Sequence, residues 1–179
     1  MRLYYVRHGQ TDWNVARKMQ GGASEKDLNE TGIKQAKEAQ ELLKNKEYDI
    51  LISSPMNRAI KTAEIINEGR NVKIMTDERI RERKLGELEG HQVTPEREKE
   101  IWDYNQNVDI KGGENLHQFE KRILDFINEI KEKYADKAVL VVAHGGVAKV
   151  LKAYLYGMPK DNNLSSISME NCEIIETDL

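Results

Sequence analysis

Residues 138–143, AVLVVA, carry no polar side chain in a chain that is one-third charged. A run that short and that uniformly apolar does not alternate between core and water. It fits a strand buried on both faces, the condition of a strand inside a parallel sheet. Two further runs resemble it, residues 2–6 (RLYYV) and residues 49–53 (DILIS). Helical periodicity fills much of the remainder. Ile33, Ala36, Ala39, Leu42 and Leu43 form one stripe, with Asn29 placed to cap it. Ser54-Pro55 reads as the cap and first residue of a second helix running to about Glu68. Leu116, Phe119, Ile123, Phe126, Ile127, Ile130 and Tyr134 recur at steps of three and four. Val147, Val150, Leu151, Tyr154 and Leu155 do so after Gly145-Gly146. Strands alternating with helices predict an α/β fold, a three-layer sandwich in which a mostly parallel central sheet carries helices on both faces. At 179 residues, a single domain spanning 1–179 is expected.

Composition removes several classes of function. The formal charge of −3 supplies no basic field for nucleic acid. The longest apolar run is far too short to cross a bilayer. Arg7-His8 follow the first apolar residues at once, against a secretory leader. The single Cys172 excludes an internal disulfide and suits a reducing compartment. The reading is a soluble cytoplasmic protein with neither a nucleic-acid nor a membrane partner.

The ends of the three apolar runs carry the chemistry. Residues 2–6 give way to Arg7-His8-Gly9, AVLVVA to His144-Gly145-Gly146, and DILI to Ser53-Ser54-Pro55, with Arg58 in the first turn of the helix that follows. In open α/β sheets, ligands bind in the crevice outside the carboxyl ends of the strands. Two arginines and two histidines distant in sequence are therefore expected to share one pocket. Guanidinium forks suit a phosphate or carboxylate dianion, and the N–H groups of the helix opened by Gly145 and Gly146 favour an anion there. One histidine beside a bound phosphate can act as nucleophile, and the second, held cationic by the dianion, can neutralise charge. His91 and His117 follow no buried strand and are assigned structural roles. No His-Glu-x-x-His, no cysteine pair and no two histidines one turn apart occur, so no metal and no cofactor is expected.

These motifs resemble those of the histidine phosphatase superfamily, in its phosphoglycerate-mutase-like branch. The resemblance runs from Leu3 to about Asn171. It is carried by Arg7-His8-Gly9-Gln10-Thr11-x-Trp13-Asn14, by Ser53-Ser54-Pro55-x-x-Arg58-Ala59-x-x-Thr62-Ala63 and by Ala143-His144-Gly145-Gly146. It implies that His8 is the phosphorylated nucleophile, with Arg7, Arg58 and His144 forming the phosphate pocket and Asn14 and the Gly145 backbone adding to it. It also implies that Glu82 is the proton donor, and a carboxyl group beside a dianion has reason to stay protonated. Gln20 and Gly21 are expected to border the pocket. There the chain departs from the family pattern, since "GASEKDLNETG" follows Gln20-Gly21 without the usual proline.

The expected activity is hydrolysis of a small phosphomonoester through a phosphohistidine, independent of metal. The alternative is a phosphoglycerate mutase. Mutases of the family carry a longer insertion between the acid and the second histidine, where this chain has only Gly86 to Gly113. That segment is expected to cover the pocket and, being strongly charged, to stay wet. Trp102 and Tyr104 within it would either stack on a substrate ring or pin the cover down.

Overall fold

All three apolar runs form strands in the computed structural model, which describes residues 1–179. They are β1 (Arg2–Arg7), β2 (Ile50–Ser53) and β4 (Ala138–Ala143). Two strands that the apolar pattern did not reveal, β3 (Ile74–Thr76) and β5 (Ile174–Asp178), complete the sheet. The order is β3-β2-β4-β1-β5, parallel throughout except for β5, which pairs antiparallel with β1. Both missed strands lie at sheet edges. An edge strand has one neighbour and a wetter face, so it can carry polar residues, as β5 does at Glu176-Thr177-Asp178, and gives no continuous apolar run.

Six helices accompany the strands: α1 (Asp12–Val15), α2 (Glu30–Leu42), α3 (Asn57–Ile66), α4 (Pro95–Ile101), α5 (Leu116–Lys133) and α6 (Gly145–Tyr156). Side chains of successive strand residues point to opposite faces, and the core divides accordingly. Tyr4, Val6, Leu51, Leu140 and Val142 pack with Ala36 and Ala39 of α2 and with Ala59, Ala63 and Ile66 of α3. Leu3, Tyr5, Ile52, Val139 and Val141 pack with Phe119, Ile123 and Ile127 of α5 and with Val147 and Leu151 of α6. The three layers follow directly from this alternation. Each large aliphatic side chain fully withdrawn from water contributes about 1.5–3 kcal/mol. Burying both faces of β4 is therefore worth far more than any local propensity in its six residues. No helix is long and apolar enough to cross a membrane.

Asn29 caps α2 as expected, accepting from the Gly32 N–H at 2.9 Å. Two details differ from the sequence reading. Leu42, assigned to the buried stripe of α2, is 71% exposed at the end of the helix, while its neighbour Leu43 is buried. Helix α3 starts at Asn57 rather than Pro55; the Ser54 hydroxyl that was to cap it lies 2.7 Å from Nε2 of His144 and accepts only a long bond, 3.4 Å, from the Met56 N–H.

The register sets the site. Arg7 stands opposite Ala143, and Ser53 opposite Val142. Strands β2, β4 and β1 are adjacent and end nearly level, so Ser54, His144 and His8 emerge side by side.

Candidate active site

Gly9 shows why β1 ends as it does. A Cβ at this position would lie 2.5 Å from the Gly32 carbonyl oxygen, so only glycine lets the chain turn against the start of α2. The turn brings the Gly9 carbonyl 2.7 Å from Nδ1 of His8. A carbonyl oxygen only accepts, so Nδ1 carries the hydrogen and the lone pair belongs to Nε2. His8 is 3% exposed. Burial, reinforced by the guanidinium groups of Arg58 and Arg7, holds its imidazole well below the usual histidine range, leaving it neutral at pH 7. A neutral imidazole with a free Nε2 lone pair is a nucleophile.

His144 lies beside it, the two ring centroids 5.2 Å apart and the planes at 62°. Tyr5 fixes its backbone: the phenol donates to the His144 carbonyl at 2.6 Å and accepts from its N–H at 3.1 Å. Nε2 of His144 is 2.7 Å from the Ser54 hydroxyl. Burial and then the Arg58 charge keep this imidazole well below its ordinary value as well. The second histidine, expected to be held cationic by a bound dianion, is neutral in the free protein.

Two neutral buried histidines set a pH dependence. In the unfolded chain they titrate near 6.5, so below that pH the unfolded state binds more protons and folding stability falls as pH falls. Above that pH their contribution is fully present. Between pH 7.5 and 5.5 each histidine is expected to remove on the order of 1 kcal/mol. Urea unfolding of wild type and His144→Gln at both pH values checks this, and the pH-dependent loss should be smaller in the variant.

Arg58 is fully buried, and burial lowers its guanidinium to about 10, still charged at neutral pH. It donates to the carbonyls of Ser24 (2.6 Å), Gln20 (3.2 Å) and Gly21 (3.3 Å), which fixes the atypical loop after Gln20-Gly21. Arg7 donates to the Met169 carbonyl. Gln20 accepts from the Thr11 hydroxyl through Oε1, which leaves its amide nitrogen directed elsewhere. Six buried polar side-chain atoms lack a hydrogen-bond partner. Five are nitrogens: Arg7 Nε, Gln20 Nε2, Arg58 Nε, Arg83 Nη2 and His144 Nδ1. Buried polar groups are nearly always paired, so unpaired donors concentrated in one region mark the place where an acceptor-rich ligand belongs.

A cavity of about 320 Å³ opens at these strand ends, lined by Arg7, His8, Asn14, Gln20, Glu82 and Gly145 among others. His144, Arg58 and Gly21 are not part of its lining. The first two lie fully buried beyond it, and Gly21 contributes its carbonyl to Arg58. Asn14 closes the first turn of α1 by capping with Thr11.

Glu82 reaches the cavity from the opposite wall. One carboxylate oxygen accepts from the Arg83 N–H at 2.8 Å and the other from the Gly146 N–H at 2.9 Å. The helix N-terminus expected to receive an anion therefore already holds the carboxylate of Glu82 on one of its N–H groups. Arg122 of α5 secures the backbone beneath, donating to the carbonyls of Arg81 (2.8 Å) and Glu82 (3.1 Å) while paired with Glu114. A methyl group at Gly146 would collide with the Glu82 carboxylate and come within 2.9 Å of the Trp102 ring. The carboxylate is the part that can move. Gly146→Ala is expected to lower the melting temperature by a few degrees, because the buried Trp102 ring must also shift, and to slow turnover of an alkyl phosphate by about 10- to 100-fold through misplacement of the Glu82 carboxylate.

The covering segment differs from the wet layer that its charge suggested. Ile101 and Trp102 are buried, Trp102 packs edge-on to Phe119, and the Leu164 N–H bonds to the Trp102 carbonyl. Most of its charged side chains face outward, although Glu98 lines the cavity beside Lys149, and its inner face joins the core. Trp102 pins the cover: its ring is engaged by Arg83 and Lys149, at 5.2 and 5.3 Å from the centroid. His117 bonds to the Tyr104 carbonyl, and His91 is exposed. Neither lines the cavity. Sequence reasoning missed Arg83, Arg122 and Lys149, because single basic residues in a charged chain carry no signal. No group of three or more His, Cys, Asp or Glu is placed to hold a metal ion.

A family model described as histidine phosphatase superfamily, branch 1, matches residues 3–179. A Bacillus subtilis (strain 168) protein named uncharacterized phosphatase PhoE is 37% identical over 93% of this chain and 82% of its own. A Yersinia pestis (strain Pestoides F) protein named probable phosphoglycerate mutase GpmB is 32% identical over 99% of this chain and 85% of its own. Among solved structures, a mycobacterial glucosyl-3-phosphoglycerate phosphatase, in complex with VO3, superposes with a TM-score of 0.83. It is 30% identical, over 98% of this chain and 91% of that one.

Proposed function

We propose, from the premise that this chain belongs to branch 1 of the histidine phosphatase superfamily, that it hydrolyses a small phosphomonoester through a phosphohistidine. The observation that carries the reading is the cluster of unpaired buried nitrogens around a neutral histidine whose Nε2 lone pair is free.

The reaction proceeds in two displacements. Nε2 of His8 attacks phosphorus as the bond to the leaving oxygen breaks, and the protonated carboxyl of Glu82 gives its proton to that oxygen. Charge on the equatorial oxygens is met by Arg7, Arg58, the Gln20 amide and His144, which becomes cationic in the presence of the dianion. Asn14 and the Gly145 N–H add donors at the rim. Water then attacks the phosphohistidine and passes a proton to the Glu82 carboxylate. The P–N bond breaks, its electron pair returns to Nε2, and inorganic phosphate leaves.

The substrate is a small molecule on the scale of the 320 Å³ cavity. Relatives and structural neighbours carry names for phosphatases and for a mutase of phosphoglycerate, and sugar-acid phosphates head the panel to be tried. The alternative, a mutase, is favoured by the relative named probable phosphoglycerate mutase and by the apolar inner face of the cover. Both readings share the first displacement and differ in what reaches the phosphohistidine next. Incubation with 3-phosphoglycerate, following phosphate and 2-phosphoglycerate together, decides between them. Phosphate release from the panel, undiminished by EDTA, with no efficient isomerisation is the expected result. Rapid 2-phosphoglycerate formation without phosphate release establishes the mutase instead.

A further inference from the structure

The turn Met169–Glu173 lies more than 160 residues from His8 in sequence and grips the end of β1. The Cys172 N–H donates to the Arg7 carbonyl at 2.9 Å, and the Arg7 N–H donates to the Glu173 carbonyl at 3.4 Å. The Arg7 guanidinium reaches the Met169 carbonyl. Cys172 holds a left-handed backbone, φ +57°, which a side-chain-bearing residue rarely adopts. From this turn the Asn171 side-chain amide donates to the His8 carbonyl at 2.9 Å and to Oδ1 of Asn14 at 3.4 Å. No backbone N–H reaches the His8 carbonyl. The ladder reaches as far as the His8 N–H, which donates to the Ala143 carbonyl at 2.9 Å, and beyond it a side-chain amide supplies the donor for the His8 carbonyl. A buried carbonyl without a partner is costly, so the peptide that carries the His8 ring would shift to find one.

We propose that Asn171 is a positioning residue for the reaction, its amide locking the His8 peptide in place and tying it to Asn14 of the same cavity. The nucleophile then stands where Nε2 must meet phosphorus in line, its peptide held by one hydrogen bond from a planar group whose other bond goes to Asn14. The inference rests on the phosphohistidine reading. It adds a residue that touches neither the phosphate nor the ring of His8 and acts through the main chain.

Two variants test it, assayed with p-nitrophenyl phosphate. Asn171→Leu keeps the shape and removes the donor. The expected result is a fall in kcat of about 10- to 100-fold with KM changed less than threefold, since misplacement by a fraction of an ångström weakens attack rather than binding. Asn171→Asp also removes the donor and adds a carboxylate beside His8. The groups now facing that imidazole are Arg7, Arg58, His144 and Glu82. A new negative charge favours the imidazolium, so the acid limb of kcat/KM is expected to move up by about one pH unit. In Asn171→Leu the limb stays in place. A merely structural role lowers stability in both variants and leaves kcat of the folded enzyme unchanged, whereas the limb in Asn171→Asp reports only how close residue 171 lies to the imidazole. Unchanged kcat in the folded Asn171→Leu or Asn171→Asp enzyme overturns the proposal. Should the leucine variant fail to fold, the aspartate variant decides alone. His8→Ala is run alongside. Turnover surviving there removes the phosphohistidine reading itself, whereas an inactive His8→Ala with normal Asn171 variants removes the positioning role only.

Discussion

His8→Ala is expected to lose turnover by at least 10⁴-fold, the scale seen when a covalent nucleophile is deleted. The size follows from how completely the site is organised around this ring. Its Nδ1 is committed to the Gly9 carbonyl, its backbone to Ala143 and Asn171, and its charge state to burial. No second group can substitute. His144 has its Nε2 against Ser54 and lies outside the cavity lining. Phosphate binding should survive in the variant, because the donors of Arg7, Arg58 and Gln20 are untouched. Steady-state assay shows the loss. Acid-quenched labelling with a phosphate donor shows a phosphoprotein in wild type and none in the variant.

Glu82→Gln is expected to separate substrates by leaving group. With an alkyl phosphate the departing alkoxide needs a proton, and loss of a general acid costs about 10²- to 10⁴-fold. With p-nitrophenyl phosphate the leaving phenolate is a weak base, and the loss should stay within about tenfold. Glutamine keeps an acceptor for the Gly146 or Arg83 N–H, so the fold around the N-terminus of α6 is preserved. Equal losses on both substrates would reduce Glu82 to a cap on α6. Measuring kcat/KM for glycerol phosphate and p-nitrophenyl phosphate in both proteins is sufficient.

The three central strands were legible because their burial is local information. AVLVVA has no polar face in any context, and Leu3 through Val6 differ from it only slightly. The same logic failed at β3 and β5, edge strands whose apolar runs, Ile74-Met75 and Ile174-Ile175, are only two residues long before polar residues follow. It failed also at α3, where Ser54 satisfied the local rule for a cap but found a distant partner in His144. The charge of the cover was read correctly, yet the side it faces could not be. Ile101 and Trp102 turn inward because α5 and the 164–167 segment offer them a core, and that core is assembled by topology.

By itself the sequence determined that two histidines and two arginines stand at the ends of buried strands, together with a carboxylate in a motif of the same family. Burial periodicity is written residue by residue, and the strand-end position is its direct consequence. Only the tertiary structure decided that β1, β4 and β2 are neighbours ending level. It also decided that Gly9 sets the tautomer of His8, that Arg122 and Gly146 hold Glu82, and that Asn171 reaches the nucleophile's carbonyl. Each of these depends on which segments the sheet order and register bring into hydrogen-bond range. Such contacts join residues far apart in the chain and leave no periodic trace in either partner.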